Sequence, residues 1–284
     1  MRLPDGRRLG YAEYGDPNGR PLFWFHGFPD SRFEASFSHE AALARGIRVL
    51  SWDRPGYGIS DFAKGRQILD WPDDVAAAAD ALGIDRFAVV GLSGGCPYAS
   101  ACAYKIPDRL TGVAIVSGLG PTDVKESIRH YNRATRWGFP WYGRLPLLAR
   151  IGMWWVSLGR FRAEQNFDRL IKRLPPADRA ILNRPGVKER GIQTFKEAFR
   201  QGSRGSAHDL VLYARPWGFR PEDVSTKVHL WHGEADTIVP VGMGRYEAGA
   251  FRDCHSTFVS DAGHFMVVDL IGDILDRLFA PTSA

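Results

Sequence analysis

The chain has 284 residues, 44% of them hydrophobic and 24% charged, with three cysteines and a formal net charge of +5. That composition excludes disordered and fibrous classes, and the length suits one large domain or one domain carrying a sizeable insertion. The charge is unevenly placed: residues 121–220 hold 20 Lys and Arg against 8 Asp and Glu, whereas the remainder holds 17 against 24.

No nucleic-acid motif accompanies the basic stretch, and arginine outnumbers lysine 30 to 7 over the chain, so a compositional bias explains it better than nucleic-acid binding. An anionic substrate, or a lid facing an acidic surface, is the other use for such a module. The start of the sequence, Met1 to Gly6, has no apolar run of the signal-peptide kind, and Cys96, Cys102 and Cys254 have neither metal-type spacing nor an even count. Both features point to a cytoplasmic protein. The longest apolar stretch, Leu147 to Leu158, is too short to span a bilayer and is broken by Arg150, so no stable membrane insertion is expected. Oligomeric state is not legible.

In chain order, residues 8–14 and 21–25 read as strands, 32–45 as a helix, 47–52 as a strand and 67–82 as a helix. Residues 87–92 then read as a strand, 95–105 as a helix and 110–116 as a strand. Short runs rich in Val, Ile and Phe alternating with helices predict an α/β fold with a mostly parallel sheet covered on both faces. Pro97 falls in the first helical turn, where a missing N–H costs little. From 121 to 220 the pattern changes to aromatic and basic helical stretches broken by Pro140, Pro146, Pro175, Pro176 and Pro185, an inserted module. It holds Trp137, Trp141, Trp154, Trp155 and Trp217, some of which are expected to line the cavity the module covers. Strands at 227–231 and 256–260 and helices at 242–250 and 266–278 complete the scaffold. The core is therefore expected in 1–120 and 221–284.

Gly91-Leu92-Ser93-Gly94-Gly95 sits between a predicted strand and a predicted helix. A serine at such a sharp turn is exposed and strained, which makes Ser93 the candidate nucleophile. His26-Gly27-Phe28-Pro29 follows another strand end, and in an open parallel sheet those loops converge. The backbone N–H groups of Phe28 and Gly94 are the candidate oxyanion hole, and His26 is read as holding its loop. Asp53-Arg54-Pro55-Gly56-Tyr57-Gly58 reads as an architectural turn, with Asp30 and Arg32 shaping the pocket entrance or pairing with it. Late in the chain, His264 in Asp261-Ala262-Gly263-His264-Phe265 is the best general base, and Asp236 in His232-Gly233-Glu234-Ala235-Asp236 its best partner. Glu234 and Asp123 are alternative acids. His229, His255 and His39 are poorer bases, and His130 and His208 are candidates for substrate contact.

Taken together, these five motifs resemble those of the alpha/beta-hydrolase fold superfamily, and the resemblance covers nearly the whole chain, with a helical cap inserted after the sixth strand. It implies Ser93, Asp236 and His264 as a catalytic triad and Phe28 with Gly94 as the oxyanion hole. The His26-Gly27-Phe28-Pro29 loop is similar to that of epoxide hydrolases, but those enzymes and the dehalogenases of this fold use an aspartate where this chain has Ser93. Serine implies acyl transfer to water, with carboxylic esters of small to medium, apolar or aromatic substrates as the default. Carbon-carbon bond hydrolysis of diketo acids, with a basic residue of the cap holding a carboxylate, is an alternative, although Phe265 stands where a tryptophan is usual. Lactone or thioester hydrolysis and cofactor-free perhydrolysis share the machinery, and a non-catalytic ligand-binding protein is the alternative of another class. No metal or cofactor is implied, because no His/Cys/Asp/Glu cluster has ligand spacing.

Overall fold

The computed structural model describes residues 1–280. Seven strands form one sheet: β1 (Tyr11–Gly15), β2 (Arg20–Phe25), β3 (Ile47–Trp52), β4 (Phe87–Leu92), β5 (Leu110–Val116), β6 (Val228–Gly233) and β7 (Cys254–Val259). Their spatial order is β1-β3-β2-β4-β5-β6-β7, with β1 antiparallel to β3 and every other pairing parallel. Helices α1 (His39–Leu43), α2 (Trp71–Ala81) and α3 (Cys96–Lys105) belong to the first half. Pro97 lies in the first turn of α3, as expected. The stretch read as one helix over 32–45 is a 3₁₀ turn at Glu34–Ser38 followed by the short α1.

Alternation along the strands divides the core. Phe23 and Phe25 of β2 face one layer with Trp52, Val89 and Ile115, under α2 and α3. Leu22 and Trp24 face the other with Val49, Val90 and Val116, against the final helix. A strand buried on both faces must be apolar at every position, which is why β2 and β4 read as continuous hydrophobic runs. Each large side chain fully buried in this way contributes roughly 1.5–3 kcal/mol.

Between β5 and β6 the chain forms only helices: α4 (Lys125–Ile128), α5 (Arg133–Arg144), α6 (Pro146–Leu158), α7 (Ala163–Arg173), α8 (Pro176–Leu182), α9 (Val187–Ala198) and α10 (Arg204–Tyr213). They follow the fifth strand rather than the sixth, because the N-terminal pairing that would supply another strand is a single bridge, Arg2 to Arg8. α11 (Val241–Ala250) and α12 (Val267–Leu278) close the fold.

β2 is the point where the strand order reverses, with β3 on one side and β4 on the other. The carboxyl ends of β2 and β4 are therefore adjacent, Phe25 opposite Gly91, and the loops that leave them share one site. β6 and β7 are likewise neighbours, so the segments carrying Asp236 and His264 emerge side by side.

Candidate active site

Ser93 follows directly on β4 with φ 52°, a left-handed conformation that costs a non-glycine residue roughly 1–2 kcal/mol. The surroundings hold it there. The carbonyl of Ser93 accepts from Leu119 N at 3.1 Å, and the thiol of Cys96 donates to the Gly91 carbonyl at 3.0 Å. A Cβ at Gly95 would stand 2.0 Å from the Phe25 carbonyl oxygen, so the turn closes against β2 only with glycine at that position. A Cβ at Gly94 would come within 3.4 Å of Phe28 N and 2.6 Å of Phe28 Cβ. The two backbone segments proposed to donate to an oxyanion are thus in contact beside the serine.

His264 Nδ1 lies 2.7 Å from Asp236 Oδ2, and both residues are buried. Since the carboxylate only accepts, the imidazole carries its proton on Nδ1 and leaves Nε2 as the acceptor. The other oxygen of Asp236 accepts from Ile238 N at 2.8 Å and Val239 N at 2.9 Å, which fixes the carboxylate. Glu234 instead pairs with Arg245 at the surface, and Asp123 with Arg220. Sequence reading missed Asp178. This buried residue of α8 accepts from His264 N at 3.0 Å and Phe265 N at 2.9 Å, anchoring the histidine loop to the helices above it. Nothing in the local pattern around Asp178 distinguishes it from a helix N-terminal acid.

Ser93 and His264 line one cavity of about 320 Å³ with Phe28, Phe167, Phe195 and Phe265, roofed by α7, α8 and α9. Among the described residues Ser93 Oγ makes no hydrogen bond to His264. Such bonds are often long before substrate binds. The expectation that tryptophans line the pocket is corrected: none of Trp137, Trp141, Trp154, Trp155 and Trp217 does. Trp217 is buried in the main core, and the other four are exposed, Trp137 at 77%. Phenylalanines take the lining role because α7 to α9, not α5 and α6, lie over the sheet edge. His130 and His208 also lie outside the cavity lining.

Asp30 and Glu34 line the same cavity. Glu34 accepts from Gly27 N at 2.9 Å and from Trp24 Nε1 at 2.8 Å, so it holds the loop that carries Phe28. Burial raises both carboxyls above their ordinary range, and the Asp30 charge raises Glu34 further. Arg32 pairs with Asp53 at 2.6 Å, and Asp53 also accepts from Ile59 N, which confirms Asp53 as turn architecture.

Beneath the site lies a fully buried network centred on Asp209 of α10. Its carboxylate accepts from Arg54 Nε at 2.8 Å, from Arg66, from Tyr57 at 2.9 Å and from Tyr98 at 2.6 Å. Arg54 in turn donates to the carbonyls of His26 and Gly27, and Tyr213 donates to the Gly94 carbonyl at 2.7 Å. Those are the backbones on either side of the candidate oxyanion site. His26 accepts from Arg54 N through Nε2 and donates from Nδ1 to Gly27, a neutral structural ring whose protonation burial and Arg54 both oppose. Burial alone would raise the Asp209 carboxyl, but Arg66 and Arg54 hold it well below the usual range. Removing the carboxylate leaves two buried guanidinium groups without a counter-ion. Asp209→Ala is therefore expected to destabilise the chain by about 3–5 kcal/mol in urea unfolding. Asp61→Ala, which breaks the solvent-exposed pair with Arg8, is expected to leave the urea midpoint almost unchanged, because water and salt screen such a pair. Equal losses in the two variants would remove the network from the account of stability.

Comparison with known proteins matches this architecture. A family model described as the alpha/beta hydrolase fold matches residues 20–151. The chain is 32% identical over 123 residues to a non-heme chloroperoxidase of Streptomyces lividans, an alignment covering 43% of this chain and 45% of the relative. It is 29% identical over 248 residues to a non-heme haloperoxidase of Rhodococcus erythropolis, covering 84% and 81%. The chain spans less than half the length of the first curated relatives it matches. Among solved structures, a thermophilic esterase from Thermogutta terrifontis superposes with a TM-score of 0.70 at 22% identity, covering 98% of both chains. With the sheet order, the serine turn and these matches in agreement, the chain has the alpha/beta hydrolase fold.

Proposed function

We propose that this hydrolase-fold protein is a serine esterase acting on carboxylic esters of small to medium, apolar or aromatic character. Ser93 is its nucleophile, His264 its general base and acid, Asp236 the partner that orients the histidine, and the N–H groups of Phe28 and Gly94 its oxyanion donors. The helices of residues 121–220 act as a cap on a core of residues 1–120 and 221–284. The observation that carries the reading is the meeting, in one largely apolar cavity, of a serine held at φ 52° and a histidine engaged 2.7 Å from a buried carboxylate.

In the first half-reaction Ser93 Oγ attacks the ester carbonyl while His264 Nε2 takes its proton. Negative charge develops on the carbonyl oxygen, where the N–H groups of Phe28 and Gly94 are the donors that would stabilise the tetrahedral intermediate. His264 then returns the proton to the departing alkoxide, leaving an acyl-enzyme. A water deprotonated by His264 attacks the acyl carbon in the second half-reaction, and collapse releases the acid and the Ser93 hydroxyl. Throughout, Asp236 keeps the Nδ1 proton in place and offsets the imidazolium charge.

Cavity size sets the expected specificity. A volume of about 320 Å³ lies near the lower end of the roughly 300–1,000 Å³ typical of small-molecule sites. Carbon-carbon hydrolysis of a diketo acid is less well supported, because a substrate carboxylate would share the cavity with Asp30 and Glu34, and among the described residues Arg190 is the one lining arginine or lysine. A second reading, transfer of the acyl group to hydrogen peroxide instead of water, is favoured by the haloperoxidase names of two relatives. The test is a series of p-nitrophenyl esters from acetate to palmitate, with and without peroxide, alongside a fluorophosphonate probe located by peptide mass spectrometry. The probe is expected on Ser93, and kcat/KM is expected to fall by about tenfold or more between octanoate and palmitate. A probe bound to another residue, or cleavage of long-chain emulsions alone, would sink the proposal.

A further inference from the structure

Helix α6 is apolar at every position but Arg150 and Ser157, yet it buries only Ala149, Met153 and Ser157, a stripe at every fourth residue. Leu147, Ile151, Trp154 and Trp155 are exposed, Trp155 at 64%. Of fourteen large hydrophobic side chains exposed among the described residues, ten fall between Trp137 and Phe161. Scattered apolar exposure is ordinary, but concentration of this kind marks an interaction surface. It is separate from the cavity, none of whose lining residues lies between 137 and 161.

The charge around it is one-sided. Residues 127–163 contain seven arginines, at positions 129, 133, 136, 144, 150, 160 and 162, and not one Asp or Glu. Among the described residues none of the seven forms an ion pair, whereas Arg8, Arg45, Arg184, Arg220 and Arg245 elsewhere on the surface each meet a carboxylate. Two of them lie over aromatic rings of the same segment: Arg144 over Trp141 at 5.6 Å and Arg160 over Phe161 at 4.4 Å.

We propose that α5 and α6 dock on the surface of a bilayer containing anionic lipid, with the tryptophans and leucines at the headgroup–acyl boundary and the arginines on the phosphates. Three observations select this occupant. Exposed tryptophan flanked by arginine is the composition of an interfacial helix, since indole rings rest at headgroup level and arginine reaches up to it. A second copy is a poor fit, because an isologous contact sets the seven arginines against themselves with no carboxylate in the segment to pair them. Spanning is excluded for α6, whose 13 residues reach only about 20 Å against a hydrocarbon core of about 30 Å. The helix lies on the membrane instead of crossing it, and the inference does not depend on the proposed chemistry.

The experiment is flotation of the full chain with vesicles of phosphatidylcholine alone and of phosphatidylcholine with one-third phosphatidylglycerol, at low salt and in half-molar sodium chloride. Binding is expected only to the anionic vesicles and is expected to weaken at high salt. Arg133→Glu with Arg150→Glu should lower partitioning by roughly 10²-fold, since each arginine near an anionic surface is worth roughly fivefold and the reversal adds repulsion. Trp137→Ser with Trp154→Ser and Trp155→Ser should abolish binding while leaving turnover of a soluble ester unchanged. Because all five side chains are exposed, unaltered circular dichroism is expected in both variants. Failure of the wild-type chain to float with anionic vesicles, or equal binding to neutral ones, overturns the proposal. So does concentration-dependent self-association abolished by the tryptophan substitutions, which would assign the surface to a second copy. Activity without flotation would leave the esterase reading intact.

Discussion

On the proposed mechanism, Ser93→Ala is expected to lower kcat for p-nitrophenyl esters by about 10⁴- to 10⁶-fold, with no comparable change in substrate affinity. Only the hydroxyl is removed, so the cavity, the Phe28 and Gly94 donors and the His264–Asp236 pair stay in place and a small residual rate over water remains. Alanine tolerates φ 52° no better than serine, and stability should therefore change by less than about 1 kcal/mol. Ser93→Gly separates chemistry from strain. Glycine adopts a positive φ without penalty, so this variant is expected to be equally inactive and to gain about 1 kcal/mol in urea unfolding. Inactivity together with a gain in stability is the signature of a strained functional residue. Retained hydrolysis in both variants would place the nucleophile elsewhere.

Much of this site was legible because the relevant signals are short and local. A strand, a glycine-flanked serine and a helix in succession specify a turn whatever lies around it, and Ser93 does adopt the left-handed conformation. The loops carrying Phe28, Asp236 and His264 could be placed at the sheet's carboxyl edge from strand order alone. Asp178, Asp209 and Glu34 could not. Two of them act at long range in the chain, Asp178 reaching His264 across 86 residues and Asp209 reaching Arg54 across 155, while Glu34 turns back onto Gly27 and Trp24 from a 3₁₀ turn that reads as ordinary helix. Their local sequence shows only an acid on or beside a helix.

The helices between β5 and β6 show the same division. Their existence follows from composition, but which of them covers the cavity depends on how they fold back over the sheet. An aromatic residue in a helix reads the same whether it faces a pocket, a core or solvent, and here Trp217 is in the core while Trp137 and Trp155 face outward. The phenylalanines that do line the cavity, Phe167 and Phe195, sit in the charged helices α7 and α9, where polar neighbours masked them.

Asp236→Asn is the second large effect, expected to reduce kcat by about 10⁴-fold while leaving the fold intact. The argument rests on which end of the new amide can face which partner. Ile238 N and Val239 N both donate to Asp236 Oδ1, so the asparagine must turn its carbonyl oxygen toward them. Its NH₂ group then faces His264 Nδ1, 2.7 Å away in the parent protein, and donates where the carboxylate accepted. Nδ1 becomes the acceptor and the ring proton moves to Nε2, the nitrogen that receives the Ser93 proton in the proposed mechanism. Because the base is lost in both half-reactions, acylation and deacylation should slow together, and rapid-quench analysis should show no accumulation of acyl-enzyme. Glu234→Gln and Asp123→Asn serve as controls: each carboxylate is paired with a surface arginine, and each substitution is expected to change kcat by less than about twofold. A loss smaller than about tenfold in Asp236→Asn, or a larger one in either control, would assign the orienting carboxylate to a different residue.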